Sequence, residues 1–210
     1  MVLPILYSFR RCPYAMRARM ALLASRTAVE LREVSLKDKP EEMRIASPKA
    51  TVPVLVLPDG SVIDESLAVM RWALERNDPE AWLANEKAAM AIIATIDGPF
   101  KRHLDRYKYH TRYEDADPLA HREAASSILR DLDARIARKG QLCGDGRSLA
   151  DIASFPFVRQ FAATDRNWFD AQPWPALRIW LDRHIGSDLF KRAMVKHAPW
   201  QPGDPAIEFA

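Results

Sequence analysis

Apolar positions in the first part of the chain come in short bursts whose period changes from one burst to the next. Leu3 to Phe9 is a run short enough for a buried strand. From Pro13 the period becomes helical, because Met16, Met20 and Leu23 fall at i, i+4 and i+7 and predict one apolar stripe, with Arg17 and Arg19 pointing elsewhere. Proline at a first helical position has the right φ and loses no needed N–H, so Cys12 is the expected N-cap. Val29 to Val34 mostly alternates and predicts a second strand, and a short helix is expected from Pro40. Val52 to Leu57 and Ser61 to Asp64 flank Pro58-Asp59-Gly60, a strand, turn, strand signal, and a helix over Ser66 to Arg76 follows.

The resulting order is β-α-β-α-β-β-α. Its first strand pair is parallel through a helical crossover and its last pair antiparallel through a hairpin, which describes a thioredoxin-like layer. After Asn77-Asp78-Pro79 the strand signal disappears. Helical periods run over Asn85 to Lys108, Pro118 to Arg138, Ala150 to Thr164 and Pro175 to Ile185, punctuated by Gly140, Gly144-Asp145-Gly146 and Pro173. Pro199 to Pro205 reads as an irregular closing tail. The expected fold class is therefore α/β plus all-α: a thioredoxin-like domain over residues 1–77, a linker over 78–84, and a helical-bundle domain over 85–210.

Composition narrows the function classes. The 210 residues are 48% apolar and 28% charged with a formal net charge of +3, and segments such as Asp131 to Lys139 mix both signs. That surface carries no electrostatic footprint for nucleic acid or an anionic membrane. Two cysteines exclude a disulfide scaffold. The apolar start Val2 to Leu6 precedes Arg10 and Arg11, the reverse of a signal peptide. Elsewhere the longest apolar runs resemble Met20 to Ala24, far short of the roughly 20 residues of a spanning helix. A cytoplasmic protein is expected. The five dispersed histidines show no metal-ligand spacing, and neither a Gly-Lys-Ser/Thr phosphate loop nor a Gly-x-Gly-x-x-Gly fingerprint occurs.

The most informative segment is Ser8-Phe9-Arg10-Arg11-Cys12-Pro13-Tyr14-Ala15, a thiol at a strand-to-helix junction. The unpaired N–H groups and positive potential of a helix start favour the thiolate, and two arginines precede it, so Cys12 is a candidate nucleophile. The alternative is a small buried hydrophobe, which describes most cysteine thiols and is the reading given to Cys143. A dithiol oxidoreductase would need a second sulfur three residues on, where this chain has Ala15. Any redox cycle at Cys12 must be completed by an outside thiol.

Thr51-Val52-Pro53-Val54 is the second signal: a proline opening a strand, whose cis form would turn the Val52 backbone outward toward a ligand peptide. Asp64-Glu65-Ser66 then brings a carboxylate and a hydroxyl to another helix start, where plain capping competes with anion binding. Ser148-Leu149-Ala150-Asp151 reads as a capping box with a folding role.

The succession of Cys12-Pro13-Tyr14-Ala15, Leu36-Lys37-Asp38-Lys39-Pro40, Val52-Pro53 and Glu65-Ser66 ahead of an all-α half resembles the cytosolic glutathione transferases over nearly the whole chain. The resemblance is to the cysteine-bearing, omega-like and related bacterial classes. It implies that Val52 pairs through its backbone with the cysteinyl unit of glutathione, that Glu65 and Ser66 take the γ-glutamyl end, that Lys39 reaches a glutathione carboxylate, that Cys12 faces the sulfur with Tyr14 lining the same site, and that Pro53 is a structural cis-proline. It implies glutathione as co-substrate and a homodimer.

An acceptor pocket is expected at the junction of the two halves. Tyr107, Tyr109, His110, Tyr113, Trp168 and Phe169 are the candidates for its wall, against the alternative of ordinary packing. The expected activity is a glutathione-dependent thiol transferase or reductase acting on a small electrophilic, disulfide or reducible substrate. Two alternatives stand beside it: a transferase that conjugates glutathione to an electrophilic carbon, and a non-catalytic interaction module on the same fold.

Overall fold

The computed structural model describes residues 2–210. In chain order the elements are β1 (Ile5–Ser8), α1 (Pro13–Ala24), β2 (Val29–Glu33), α2 (Glu41–Ala46), β3 (Val54–Val56), β4 (Val62–Ile63), α3 (Ser66–Leu74), α4 (Glu86–Thr95), a π-turn (Ile96–Phe100), α5 (Lys101–Lys108), a 3-10 turn (His110–Arg112), α6 (Pro118–Lys139), α7 (Leu149–Ala162), α8 (Arg166–Asp170), α9 (Pro175–Gly186), α10 (Asp188–Ala193) and β5 (Glu208–Phe209). They form two compact units, residues 1–79 with 187–210, and residues 80–186.

The first unit is built on one sheet of order β4-β3-β1-β2-β5. β1 and β2 run parallel with Tyr7 opposite Arg32, whereas β3 is antiparallel to β1 with Leu55 opposite Leu6. The β3–β4 hairpin turns at Gly60, whose φ of +84° is one that side-chain-bearing residues rarely adopt. Against the single-stripe expectation, α1 is buried from Ala15 to Leu23, Arg17 and Arg19 included. The reason is its position: it packs on both α3 and α10, which leaves it no solvent face. The two arginines then need buried acceptors. Arg17 finds Ser66, and Arg19 forms a 2.9 Å ion pair with Glu33.

Residues 187–210, which the sequence placed with the helical half, belong to this first unit. Contacts of several kinds bring them there. α10 packs on α1. The Arg10 and Arg19 guanidinium groups donate to the Met194 and Val195 carbonyls at 3.3 and 3.4 Å. The Trp200 N–H donates to the Glu33 carbonyl at 2.7 Å while Arg32 lies 4.1 Å from the Trp200 ring. β5 closes the sheet on β2, pairing Phe209 with Val29. The segment expected to be an irregular tail is thus followed by a strand.

In the second unit the helix expected over Asn85 to Lys108 is interrupted by the π-turn at Ile96–Phe100, which contains Pro99. Proline has no N–H to offer the ladder, and a wider turn absorbs the missing bond. The stretch expected as a linker is packed in part: Trp82 is fully buried and its carbonyl accepts the Leu149 N–H at 3.1 Å. α7 is the central element, buried from Leu149 to Val158 and contacting α4, α5 and α9. Its Phe155, Phe157 and Phe161 are all buried, each contributing roughly 1.5–3 kcal/mol of apolar burial.

Candidate functional site

Pro13 opens α1 and Cys12 is its N-cap, with extended backbone (φ −74°, ψ 123°) and no side-chain capping hydrogen bond. The turn before it is closed by the Cys12 N–H donating to the Phe9 carbonyl at 2.9 Å. A second tether comes from the Arg10 N–H, which donates to Glu33 Oε1 at 2.7 Å. Cys12 is half-buried and packs against the cluster of Tyr7, Ala15, Val34, Met43, Val52 and Val54. Its Sγ lies 3.7 Å from the Val52 carbonyl oxygen. The Val52–Pro53 peptide bond is cis. The thiol and the start of β3, forty residues apart in sequence, therefore meet directly.

The start of α3 forms the neighbouring group. Glu65 is its N-cap, exposed, and accepts from Lys49 Nζ at 2.8 Å; the same ammonium lies 3.4 Å from Asp64. These two carboxylates push the Lys49 pKa up. Ser66 is 3% exposed and its Oγ accepts from Arg17 Nε at 3.0 Å. Tyr14 lies 5.1 Å under the Arg17 guanidinium, so Tyr14, Arg17 and Ser66 form one chain of contacts from α1 to α3. Lys39 lies instead along a groove of about 640 Å³ that it shares with α2 residues Glu42 and Arg44 and with Trp200 and Gln201 of the returning tail. Arg17 and Lys49 were not singled out in the sequence. The one signal for Arg17 is its i,i+3 spacing from Tyr14; for Lys49 there is none beyond its nearness to the Val52-Pro53 pair.

The six aromatic and histidine candidates all lie in the helical unit. Phe169 is a correction: it is fully buried against Phe161 and Trp174, because α8 turns that ring into the core. Tyr107 is almost buried beside Phe161, and burial pushes its phenol pKa up while Arg122 pulls it back. The remaining rings are half-buried under arginines: Arg122 is 4.2 Å from Trp168, Arg112 is 4.4 Å from Tyr109 and Arg106 is 4.7 Å from Tyr113. The Tyr109 hydroxyl also accepts from Gln160. His110 is exposed. Cys143 is buried and its thiol pKa is raised by that burial. Among the described residues no three His, Cys, Asp or Glu side chains gather as a metal site, and no helix is long and apolar enough to cross a membrane.

Comparison with known proteins fits this arrangement. Residues 6–82 match the glutathione S-transferase N-terminal domain and residues 80–183 its C-terminal domain. The chain belongs to the glutathione S-transferase family. Glutathione S-transferase omega-1 of Mus musculus is 29% identical over 184 residues, covering 83% of this chain and 73% of that protein. Maleylacetoacetate isomerase of Rattus norvegicus is 26% identical over 216 aligned positions, covering 97% and 96%. A glutathione S-transferase structure from Methylobacillus flagellatus, solved with glutathione bound, superposes with a TM-score of 0.78 over 90% of this chain and 98% of that one at 21% identity. A glutathione S-transferase takes glutathione as its thiol substrate, and its fold is the pairing of a thioredoxin-like unit with a helical unit that this chain shows.

Proposed function

We propose that this glutathione S-transferase is a glutathione-dependent thiol transferase or reductase whose nucleophile is Cys12. The observation that carries the reading is the position of the Cys12 sulfur, at the N-cap of α1 and in contact with the Val52 carbonyl. A helix start favours a thiolate, and Val52 lies just ahead of β3, outside its paired residues, where its backbone can pair with a bound peptide. The relationship to an omega-1 protein supports the same reading.

In the proposed cycle the Val52 backbone, Glu65 and Ser66 seat the glutathionyl part of a mixed disulfide. The Cys12 thiolate attacks its glutathionyl sulfur. A new Sγ–S bond forms, the old S–S bond breaks, and the departing thiolate takes a proton from water. Because Ala15 occupies the place of a second cysteine, release needs a glutathione thiolate from solution, which attacks the same sulfur. Glutathione disulfide leaves and the Cys12 thiolate is restored.

Cys12→Ser tests the assignment. It should abolish reduction of a glutathionyl mixed disulfide while leaving glutathione binding intact, since Val52, Glu65 and Ser66 remain. Conjugation to a chloro-aromatic electrophile should persist or rise, because a hydroxyl at a helix start can donate to a bound glutathione thiolate. Wild-type disulfide turnover by Cys12→Ser, with contaminating glutaredoxin excluded, would remove Cys12 from the chemistry. A wild-type protein that conjugates and does not reduce would move the assignment to carbon electrophiles, and one that binds no glutathione would leave an interaction module.

A further inference from the structure

Cys12 closes a four-residue turn whose own hydrogen bond runs from its N–H to the Phe9 carbonyl at 2.9 Å. Such a turn has no acceptor for the N–H of its second residue, here Arg10. That donor is part-buried and needs an acceptor from elsewhere. It comes from β2. The ends of β1 and β2 lie side by side with Ser8 opposite Glu33, and Glu33 Oε1 accepts the Arg10 N–H at 2.7 Å. Glu33 is 6% exposed, and its second oxygen accepts from Arg19 at 2.9 Å. Arg10 and His197 are the other charged or titratable groups beside that pair. The carboxylate thus does two separate things: Oε2 answers a buried cation, and Oε1 fixes the turn that delivers the thiol to the start of α1.

From this geometry we infer that Glu33 is a positioning residue for Cys12: by holding the Arg10 amide it keeps the sulfur at the positive end of α1, while its charge is balanced by Arg19. This rests on the reading of Cys12 as the nucleophile given above, and it adds to that reading a residue that acts through the backbone of Arg10. What the site needs at position 33 is then an acceptor oxygen, not a negative charge. The opposite dependence would hold if Glu33 acted on the thiol through its field, because a nearby anion disfavours a thiolate. Removing the anion would in that case speed Cys12 instead of slowing it.

The test removes the ion pair as a unit, so that no buried charge is left unpaired, and varies only the acceptor. Arg19→Met with Glu33→Gln keeps an oxygen for the Arg10 N–H; Arg19→Met with Glu33→Met fills the same volume without one. Alkylation of Cys12 by iodoacetamide is followed across pH by mass spectrometry, and glutathione is titrated calorimetrically into each protein. The glutamine variant should keep the wild-type profile, with rates at pH 7 within about threefold. The methionine variant should alkylate about tenfold more slowly at pH 7, the weight of one hydrogen bond. That gap should close at alkaline pH, where the thiol ionises wherever it lies. Glutathione affinity should be the same in all three, since Val52, Glu65 and Ser66 are untouched. Glu33→Asp draws the carboxylate back by one methylene and keeps its charge. It too should slow Cys12 at neutral pH, and it carries the test if the methionine variant does not fold.

Equal profiles in the two double variants would mean that Glu33 only ties β2 to α1 through Arg19, which overturns the inference and leaves the glutathione reading standing. A faster Cys12 in both, the signature of a lost anion, overturns it as well. So does a methionine variant slowed by the same factor at every pH, which marks a thiol shut away from the reagent with its ionisation unchanged. A wild-type Cys12 that alkylates no faster than Cys143 sinks the reading of Cys12 as nucleophile, and this inference with it.

Discussion

Two helices of this chain begin in opposite ways. At the start of α7 a buried carboxylate and a hydroxyl answer donors from three parts of the chain. Asp151 Oδ1 accepts from the Leu142 N–H and from Trp180 Nε1, both at 2.9 Å. Its Oδ2 accepts from the Ser148 N–H at 2.9 Å and from the Ser148 hydroxyl, and Ser148 Oγ accepts in return from the Asp151 N–H. At the start of α1 the N-cap is a thiol that makes no capping bond. The first is a closed helix start buried in a core, where desolvation pushes the Asp151 pKa up despite its four donors. The second is open in the sense that no side chain caps it, and it holds a thiol at the positive end of its helix dipole. The difference teaches how a folding device and a candidate site can be told apart: the helix start whose cap is answered by side chains within the core stabilises, and the one without a side-chain cap is where the proposed chemistry sits.

Experiments can break that contrast. The largest effect belongs to the packing behind α7, where His184 lies between Phe155 and Trp180. Burial lowers its pKa from 6.5 to about 3. The folded value lies below the unfolded one, so the stability this group contributes is complete above about pH 6.5 and is lost as pH falls toward 3, by up to about 5 kcal/mol. Denaturant midpoints measured against pH should show that decline, and His184→Phe should flatten it. An identical acid limb in the variant would exclude His184 as its cause.

Next, Asp151→Ala strands four buried donors and should cost about 3–5 kcal/mol of unfolding free energy, whereas Cys12→Ala should cost about 1 kcal/mol. If urea melts showed the reverse order, α1 would be the closed start. A third test uses chemistry. At neutral pH Cys12 should alkylate about a hundredfold faster than Cys143, whose pKa is raised by burial; mass spectrometry that found Cys143 modified first would break the contrast. The smallest effect is Ser148→Ala, at about 1 kcal/mol for one lost cap, with glutathione affinity unchanged.

The open start was legible in the sequence because proline and cysteine at a strand-to-helix junction are local signals, as were the Val52-Pro53 pair, the capping box and the element order. What could not be read was set by partners far along the chain. Arg17 and Arg19 look like surface residues until Ser66, forty-nine positions on, and Glu33 are brought beside them. The break at Pro99 was overridden by apolar periodicity on both sides. The return of the tail rests on α10 against α1, on Trp200 under Arg32, on a two-residue strand and on backbone carbonyls, partners so far apart in sequence that no local pattern joins them. Phe169 and Trp168 are adjacent and chemically alike; only the turn of α8 decides that one ring faces the core.

That return also decides who meets the edge of the sheet. β2 is bordered on one side by β1 and on the other by β5, Glu208–Phe209. β1 and β2 are close in sequence, whereas β5 comes back from far along the chain, so the outer rung of the sheet closes only at the entropic cost of a long loop. Wherever that rung opens, β2 has an uncovered edge of the kind that templates pairing with other chains. Glu208 and Phe209 thus serve as a seal, and a variant in which they let go would present to its neighbours an edge that the folded unit hides.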